Sequence, residues 1–143
     1  MVRTILVPID GSAASHDALE RAVELAEALG ARLLVVEVIE EFGPLPGKYD
    51  AAPEGVDRTE WLAEQRFDAV RDALSSDRVS WARLVEEGYP AEVICDLAER
   101  ERVDLIVMGH RGLSAVARFV IGSVSDKVVR NAPCSVMVVR ARP

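Results

Sequence analysis

The sequence predicts an α/β fold in which a parallel sheet is covered by helices on both faces. The first observation is that strand-like and helix-like segments alternate along the chain, an order typical of parallel sheets. The second is that the chain has 143 residues, half of them hydrophobic. That is enough to bury a core, so we expect a single domain over residues 1–143.

The first strand is predicted at residues 4–9, a short apolar run. Ser12 is a suitable N-cap for the helix that follows, and Gly30 is a suitable residue to end it. The helix is indicated by apolar residues at helical spacing, namely Leu19, Ala22, Val23, Ala26 and Leu29. Residues 32–39 are hydrophobic almost without interruption, which predicts a strand buried on both faces.

The middle of the chain begins with a long loop, predicted at residues 41–57 from its prolines and glycines. A helix is predicted over residues 58–74, with core contacts from Trp61, Leu62, Phe67 and Val70. A third strand follows at residues 79–85. The next helix starts near Pro90, a residue well suited to a first helical turn.

The last third of the chain contains the most specific motif. A fourth strand is predicted at residues 105–108, a short helix at residues 124–130 and a last strand at residues 136–139. Four residues after the fourth strand have the spacing G-x2-G-x9-G-S: Gly109, Gly112, Gly122 and Ser123. Such a loop can adopt positive φ angles and turn its N–H groups toward an anion, while a following helix adds its partial positive charge. The motif therefore predicts a polyphosphate site.

Charge is distributed unevenly. The whole chain carries −7, while residues 109–143 carry +5 and residues 1–108 carry −12. The glycine motif therefore lies in the only basic part of an acidic protein, as an anion site would prefer, although a solvated basic surface would look the same. The overall acidity argues against general nucleic-acid binding.

Other functional classes have little support. The chain lacks a Walker-type phosphate loop, a G-x-G-x-x-G after the first strand and a G-x-S-x-G elbow. Residues 109–112 match the GxxG of a KH-type RNA clamp, but that clamp belongs to a different element order. Cys95 and Cys134 form no C-x-x-C pair and are expected to be reduced thiols. With no apolar run near ~18 residues and no secretory signal, we expect a cytoplasmic protein without a membrane segment.

Six segments of the chain, in this order, carry a resemblance to a known family: residues 5–12 (ILVPIDGS), 88–94 (GYPAEVI), 103–109 (VDLIVMG) with Ala98 before them, 111–113 (RGL), 122–125 (GSVS) and 132–140 (APCSVMVVR). The resemblance is to the universal stress proteins and spans nearly the whole length of the chain. It implies a Rossmann-like five-stranded sheet of order 3-2-1-4-5 and a homodimer formed through the last strand, residues 135–140. Because every position of the glycine motif is present, the chain resembles the branch of the family that binds ATP.

The resemblance also implies which residues border the nucleotide. Gly109, Gly112, Gly122 and Ser123 are expected at the ribose and phosphates, with Val124 and Ser125 extending that contact. Asp10 is expected at the nucleoside and Val38 at the adenine. The full set of expected nucleotide-binding residues is Pro8, Ile9, Asp10, Val38, Met108, Gly109, Arg111, Gly112, Gly122, Ser123, Val124 and Ser125. Val38 and Asp10 also have purely structural interpretations, as a core residue and as a turn cap. Glu37 occupies a position where relatives often have histidine, but strand alternation places it on the face opposite Val38.

The predicted function is an ATP-binding regulatory or sensor dimer of the stress response, acting through an unknown protein partner. One alternative is a slow ATPase or phosphotransferase that uses Mg²⁺, with Asp10 near the metal and Arg111, Arg118 or Lys127 near the phosphates. No residue is an evident water-orienting base, so binding without efficient turnover is the preferred interpretation. A further alternative is a structural dimer whose cleft stays empty.

Overall fold

The fold is a five-stranded parallel sheet in the order β3-β2-β1-β4-β5, as predicted. A computed structural model describes residues 1–40, 52–110 and 121–142. In chain order the elements are β1 (Thr4–Ile9), α1 (Ala13–Leu29), β2 (Arg32–Ile39), α2 (Arg58–Asp68), β3 (Trp81–Glu87), α3 (Pro90–Arg100), β4 (Leu105–Gly109), α4 (Ser123–Asn131) and β5 (Ser135–Val139).

The core lies on both faces of the sheet because β1, β2 and β4 are apolar on both sides. On one face, alternate strand residues such as Ile5, Val7 and Val35 pack against α1 and α2. On the other face, Leu6 and Val36 are among the residues that pack against α3 and α4. This arrangement confirms the prediction that β2 is buried on both faces, since every residue of β2 after Arg32 is buried.

The predicted ends of α1 are confirmed. The Ser12 hydroxyl oxygen accepts a hydrogen bond from the Ser15 backbone N–H at 3.1 Å, which is the expected N-cap geometry. Gly30 ends the helix in the left-handed conformation, with φ of 64°. Pro90 is the first residue of α3, also as predicted.

Two predicted elements differ from the structure by more than one residue at an end, and β4, α4 and β5 differ by a single residue at an end. The helix predicted over residues 58–74 ends at Asp68, and a separate 3-10 turn follows at Arg71–Leu74. This tighter turn accompanies the burial of both Val70 and Leu74 in the core beneath α1. The third strand begins two residues later than predicted, at Trp81, where its pairing with Leu33 of β2 begins. The loop predicted over residues 41–57 lies largely outside the described residues.

Candidate functional site

The candidate site is at the carboxyl ends of β1 and β4, which are neighbours at the centre of the sheet. After β1 the chain continues to β2 on one side of β1, whereas β4 lies on the other side of β1. The strand order therefore reverses between β1 and β4. Crevices at such switch points are the usual ligand sites of open α/β sheets. Within the described strands, β1 and β4 pair only as far as Leu6 and Ile106. Pro8, which has no N–H to donate, is one reason for the early end of this ladder.

The loop from β1 to α1 is held by its own side chains. Asp10 is half-buried, and its Oδ1 accepts a hydrogen bond from the Ser12 backbone N–H at 2.9 Å. The backbone N–H of Asp10 donates to Ser15 Oγ at 3.4 Å. Gly11 has φ of 87°, a conformation that other residues rarely adopt. Asp10 therefore has the turn-capping role that the sequence left open, while its carboxylate stays at the end of β1.

Gly109 is required because the end of β4 lies directly against the start of α1. A Cβ atom at this position would lie 2.7 Å from the backbone carbonyl carbon of Ala14 and 2.9 Å from the Ser15 backbone nitrogen. The backbone of Gly109 does not have a positive φ. The glycine is therefore explained by close packing between strand and helix.

Gly122 lies at the N-cap of α4, with φ of −61° and ψ of 152°. Its extended backbone conformation is open to any residue. A glycine N-cap nevertheless has a chemical consequence, because α4 has no side-chain cap. The first-turn N–H groups of a helix have no intrahelical acceptor, and those of Ser123, Val124 and Ser125 have none elsewhere in the described part of the chain, so they are donors at the positive end of α4.

Hydrogen bonds fix the start of α4 beside the end of β4. Ser125 is buried, and its hydroxyl donates to the carbonyl oxygen of Gly109 at 2.7 Å. The Gly122 N–H donates to the carbonyl oxygen of His110 at 2.9 Å, and the His110 N–H donates to Val139 of β5 at 2.7 Å. Ser123 is exposed at the helix start. These contacts bring Gly109, Gly122, Ser123 and Ser125 together, although they are up to 16 positions apart along the chain.

Of the other residues predicted at the nucleotide, three belong to the hydrophobic core or pack against it, and two lie outside the described residues. Val124 is half-buried and packs against the α3 and α4 side of the core, where Met108 is buried. Ile9 is buried on the opposite face of the sheet, against α1. Arg111 and Gly112, the second glycine of the motif, lie outside the described residues.

Val38 lies at the end of β2, and its interpretation as a core residue is confirmed. Its position beside the adenine stays a prediction. Its side chain is 8% exposed and belongs to the core beside α3 and α4. Its backbone carbonyl accepts a hydrogen bond from Nη1 of Arg66 at 3.4 Å. Sequence reasoning missed Arg66 completely. No local signal distinguishes this arginine on α2 from the others, because its position depends on how α2 packs against the sheet.

Glu37 points to the face opposite Val38, as strand alternation predicts. It is 0% exposed, and its Oε1 accepts a hydrogen bond from Nε of Arg83 at 2.9 Å. Its Oε2 has no hydrogen-bond partner among the described residues. Burial raises the pKa of Glu37 from 4.5 to about 7, and the nearby guanidinium groups of Arg83 and Arg66 offset this only in part. Glu64, which bonds Arg83 from α2, acts in the same direction as burial.

Among the described residues, no cluster of three or more His, Cys, Asp or Glu side chains could hold a metal ion. The same part of the chain includes no helix long and apolar enough to cross a membrane. Cys95 and Cys134 are both free and half-buried, and burial raises the pKa of each thiol.

Comparison with known proteins agrees with this architecture. The model of the "Universal stress protein family" matches residues 1–140. The chain belongs to the universal stress protein family. A universal stress protein of Thermus aquaticus is 40% identical over 143 residues, covering 98% of this chain and 100% of the relative.

Solved structures of universal stress proteins have the same fold. UspA from Lactobacillus plantarum superposes with a TM-score of 0.78 at 29% identity, covering 97% of this chain and 98% of the other. A universal stress protein crystallised in complex with cAMP has a TM-score of 0.69 at 25% identity, covering 99% of this chain and 98% of the other. The α/β architecture of this universal stress protein is therefore that of its relatives.

Proposed function

We propose that this universal stress protein binds ATP at the carboxyl ends of β1, β2 and β4 and acts as a nucleotide-dependent regulatory or sensor dimer in the stress response. The observation that carries the proposal is the uncapped start of α4. Ser125 holds it beside the end of β4 through Gly109. Backbone N–H groups and the partial positive charge of a helix N-terminus are suited to a phosphate group.

The charge of the surrounding residues supports an anionic ligand. Residues 109–143 carry +5 in a chain whose net charge is −7. Asp126 is the acidic residue in the first turn of α4, and Arg130 pairs with it at 3.1 Å. Because this ion pair offsets the Asp126 charge, the start of α4 remains favourable for phosphate.

The other end of the proposed nucleotide lies toward β1 and β2. Asp10 accepts one hydrogen bond from Ser12, and its carboxylate has further lone pairs for ribose hydroxyl groups. The backbone beside Pro8 and Ile9 ends β1 in the same region, and Met108 and Val38 lie near the ends of the neighbouring strands β4 and β2. A relative that binds cAMP supports a nucleotide ligand for this fold. Assignment of ATP depends on the complete glycine motif, including Arg111 and Gly112.

The proposed dimer forms through β5, an edge strand of the sheet. Met137 of β5 is 36% exposed, and Val129 of the neighbouring α4 is 49% exposed. An apolar edge strand offers unpaired backbone groups and side chains to a second copy. A protein partner would then bind the dimer with an affinity that depends on the bound nucleotide.

The test is calorimetric titration of nucleotide-free protein with ATP, ADP, AMP and cAMP, each with and without Mg²⁺. If the start of α4 binds the terminal phosphates, affinity falls with each phosphate removed. The comparison with Mg²⁺ shows whether ATP binds as its metal complex, with Asp10 near the ion. Equal affinity for ATP and AMP would contradict the phosphate assignment, and no heat with any nucleotide would refute the function itself.

A further inference from the structure

The backbone carbonyl of Val38 lies where β2 extends beyond its neighbour β1. The last paired residues of these strands are Ile9 and Glu37, so Val38 and Ile39 have no partner in β1. On the other side, the carbonyl of Ile39 accepts the Gly88 N–H at 3.1 Å, beyond the end of β3. Carbonyls alternate in direction along a strand, so the carbonyl of Val38 points to the β1 side, into the crevice.

In the parallel ladder the next donor for this carbonyl would be the backbone N–H of Gly11. The chain turns away there, since Gly11 has φ of 87° and the Asp10 N–H before it bonds Ser15 Oγ. The donor that the structure provides is Arg66, whose Nη1 is 3.4 Å from the Val38 oxygen. Its stem crosses the end of β1, since Cγ of Arg66 is 3.5 Å from the position of a Cβ built on Gly11. Arg66 therefore spans from the loop after β1 to the end of β2.

The position of Arg66 is set by the packing of α2. Its neighbours Ala63 and Phe67 are 1% and 2% exposed and belong to the core, while Arg66 itself is half-buried. Within the described residues, Arg66 forms no ion pair with a carboxylate, and its hydrogen bond to Val38 is long. A long bond to a half-exposed side chain is a weak bond, so a better donor can replace it.

We propose that Arg66 is a specificity-determining gate of the base subsite, which occupies the Val38 carbonyl until the exocyclic amino group of an adenine replaces it. This inference rests on the proposed function. The guanidinium satisfies the carbonyl in the empty site, where an unpaired polar group would be costly. A base with an amino group donates to the carbonyl and releases Arg66, whereas a base with a keto group accepts from Arg66 and leaves it in place.

The test compares the affinities of ATP and inosine triphosphate (ITP), whose bases differ at this edge in the 6-amino or 6-keto group and in the proton that the keto base carries on N1. The N1 difference is the same for the parent and every variant, so the comparison between proteins isolates Arg66. The variant Arg66→Met keeps most of the stem over Gly11 and removes the donor. Arg32→Met is the matched control, because Arg32 is exposed at the opposite end of β2 and its loss changes the charge equally. The readout is the ITP dissociation constant divided by the ATP dissociation constant. Loss of a positive charge weakens the binding of both nucleotides alike, so that general effect cancels in the ratio.

We expect Arg66→Met to raise this ratio about three- to tenfold, the range for loss of one weak charge-assisted hydrogen bond. Arg32→Met leaves the ratio at the parent value. A ratio that falls or stays unchanged in Arg66→Met would overturn the gate, and Arg66→Gln provides the same comparison if the Met variant is poorly folded. If the parent and both variants bind neither nucleotide, the proposed function fails, and the gate fails with it.

Discussion

The side-chain hydroxyl of Ser125 donates a hydrogen bond of 2.7 Å to the backbone carbonyl of Gly109. This bond joins the first turn of α4 to the last residue of β4, two elements that the chain connects through residues 110–122. Because Gly109 also lies against Ala14, the ends of β4, α1 and α4 meet at one point. The glycine motif is therefore part of a packed junction as well as a candidate phosphate site.

Gly109→Ala is expected to destabilise the fold by about 1–3 kcal/mol, since the new methyl group meets backbone atoms that cannot move independently. The contact of 2.7 Å to the carbonyl carbon of Ala14 is the main obstacle. Urea unfolding measures the change in free energy. Gly122→Ala is the matched control, because Gly122 has an ordinary backbone conformation. Equal stability of the two variants would show that α1 and β4 are not in close contact.

Gly122→Asp is expected to abolish ATP binding while leaving the free energy of unfolding the same or a few tenths of a kcal/mol higher. Aspartate is a good N-cap, so it would occupy the free N–H groups of α4 and place a negative charge where the phosphates bind. Calorimetry and urea unfolding give the two quantities.

Gly122→Asn is the matched control for charge, because its side chain caps the helix without a negative charge. We expect it to weaken ATP binding less than Gly122→Asp does, with a difference that shrinks as salt concentration rises. If Gly122→Asp binds ATP as the parent does, the phosphates do not lie at the start of α4.

Glu37→Gln is expected to remove a pH dependence of stability. Because burial raises the pKa of Glu37 from 4.5 to about 7, folding favours its protonated form. Its contribution is complete below pH 4.5 and is lost as pH rises through 7, by at most about 3 kcal/mol. The amide imitates the neutral carboxyl, so the variant should gain stability over the parent across this window.

The measurement is the free energy of urea unfolding at intervals from pH 4.5 to 8. Glu64→Gln is the control, because Glu64 binds the same Arg83 but its side chain is 52% exposed. It should retain most of the slope of the parent, because the Glu64 charge is the smallest contribution to the raised pKa of Glu37. Parallel curves for the parent and Glu37→Gln would mean that Glu37 is already ionised throughout this range.

Met137→Lys is expected to convert the proposed dimer to a monomer, since an added charge on an edge strand opposes pairing with a second copy. Sedimentation equilibrium measures the mass. Val85→Lys provides the control on β3, the other edge strand, where Val85 is 41% exposed. A monomeric parent, or a dimer that only Val85→Lys disrupts, would contradict assembly through β5.

The order of strands and helices could be predicted because it is recorded in local patterns. Continuous apolar runs mark β1, β2 and β4, and Ser12, Gly30 and Pro90 mark helix ends through their own backbone and side-chain chemistry. These signals depend on residues only a few positions apart, so they can be read along the chain. The glycine motif likewise indicated the region of the candidate site.

The reasons for individual site residues were decided by tertiary packing. Gly109 is a glycine because α1 passes within contact distance, and Arg66 lies at the Val38 carbonyl because Phe67 anchors α2 in the core. The raised pKa of Glu37 likewise requires burial between β2 and α2. Each of these depends on atoms that are distant in sequence and adjacent in space, which is information that no local pattern contains.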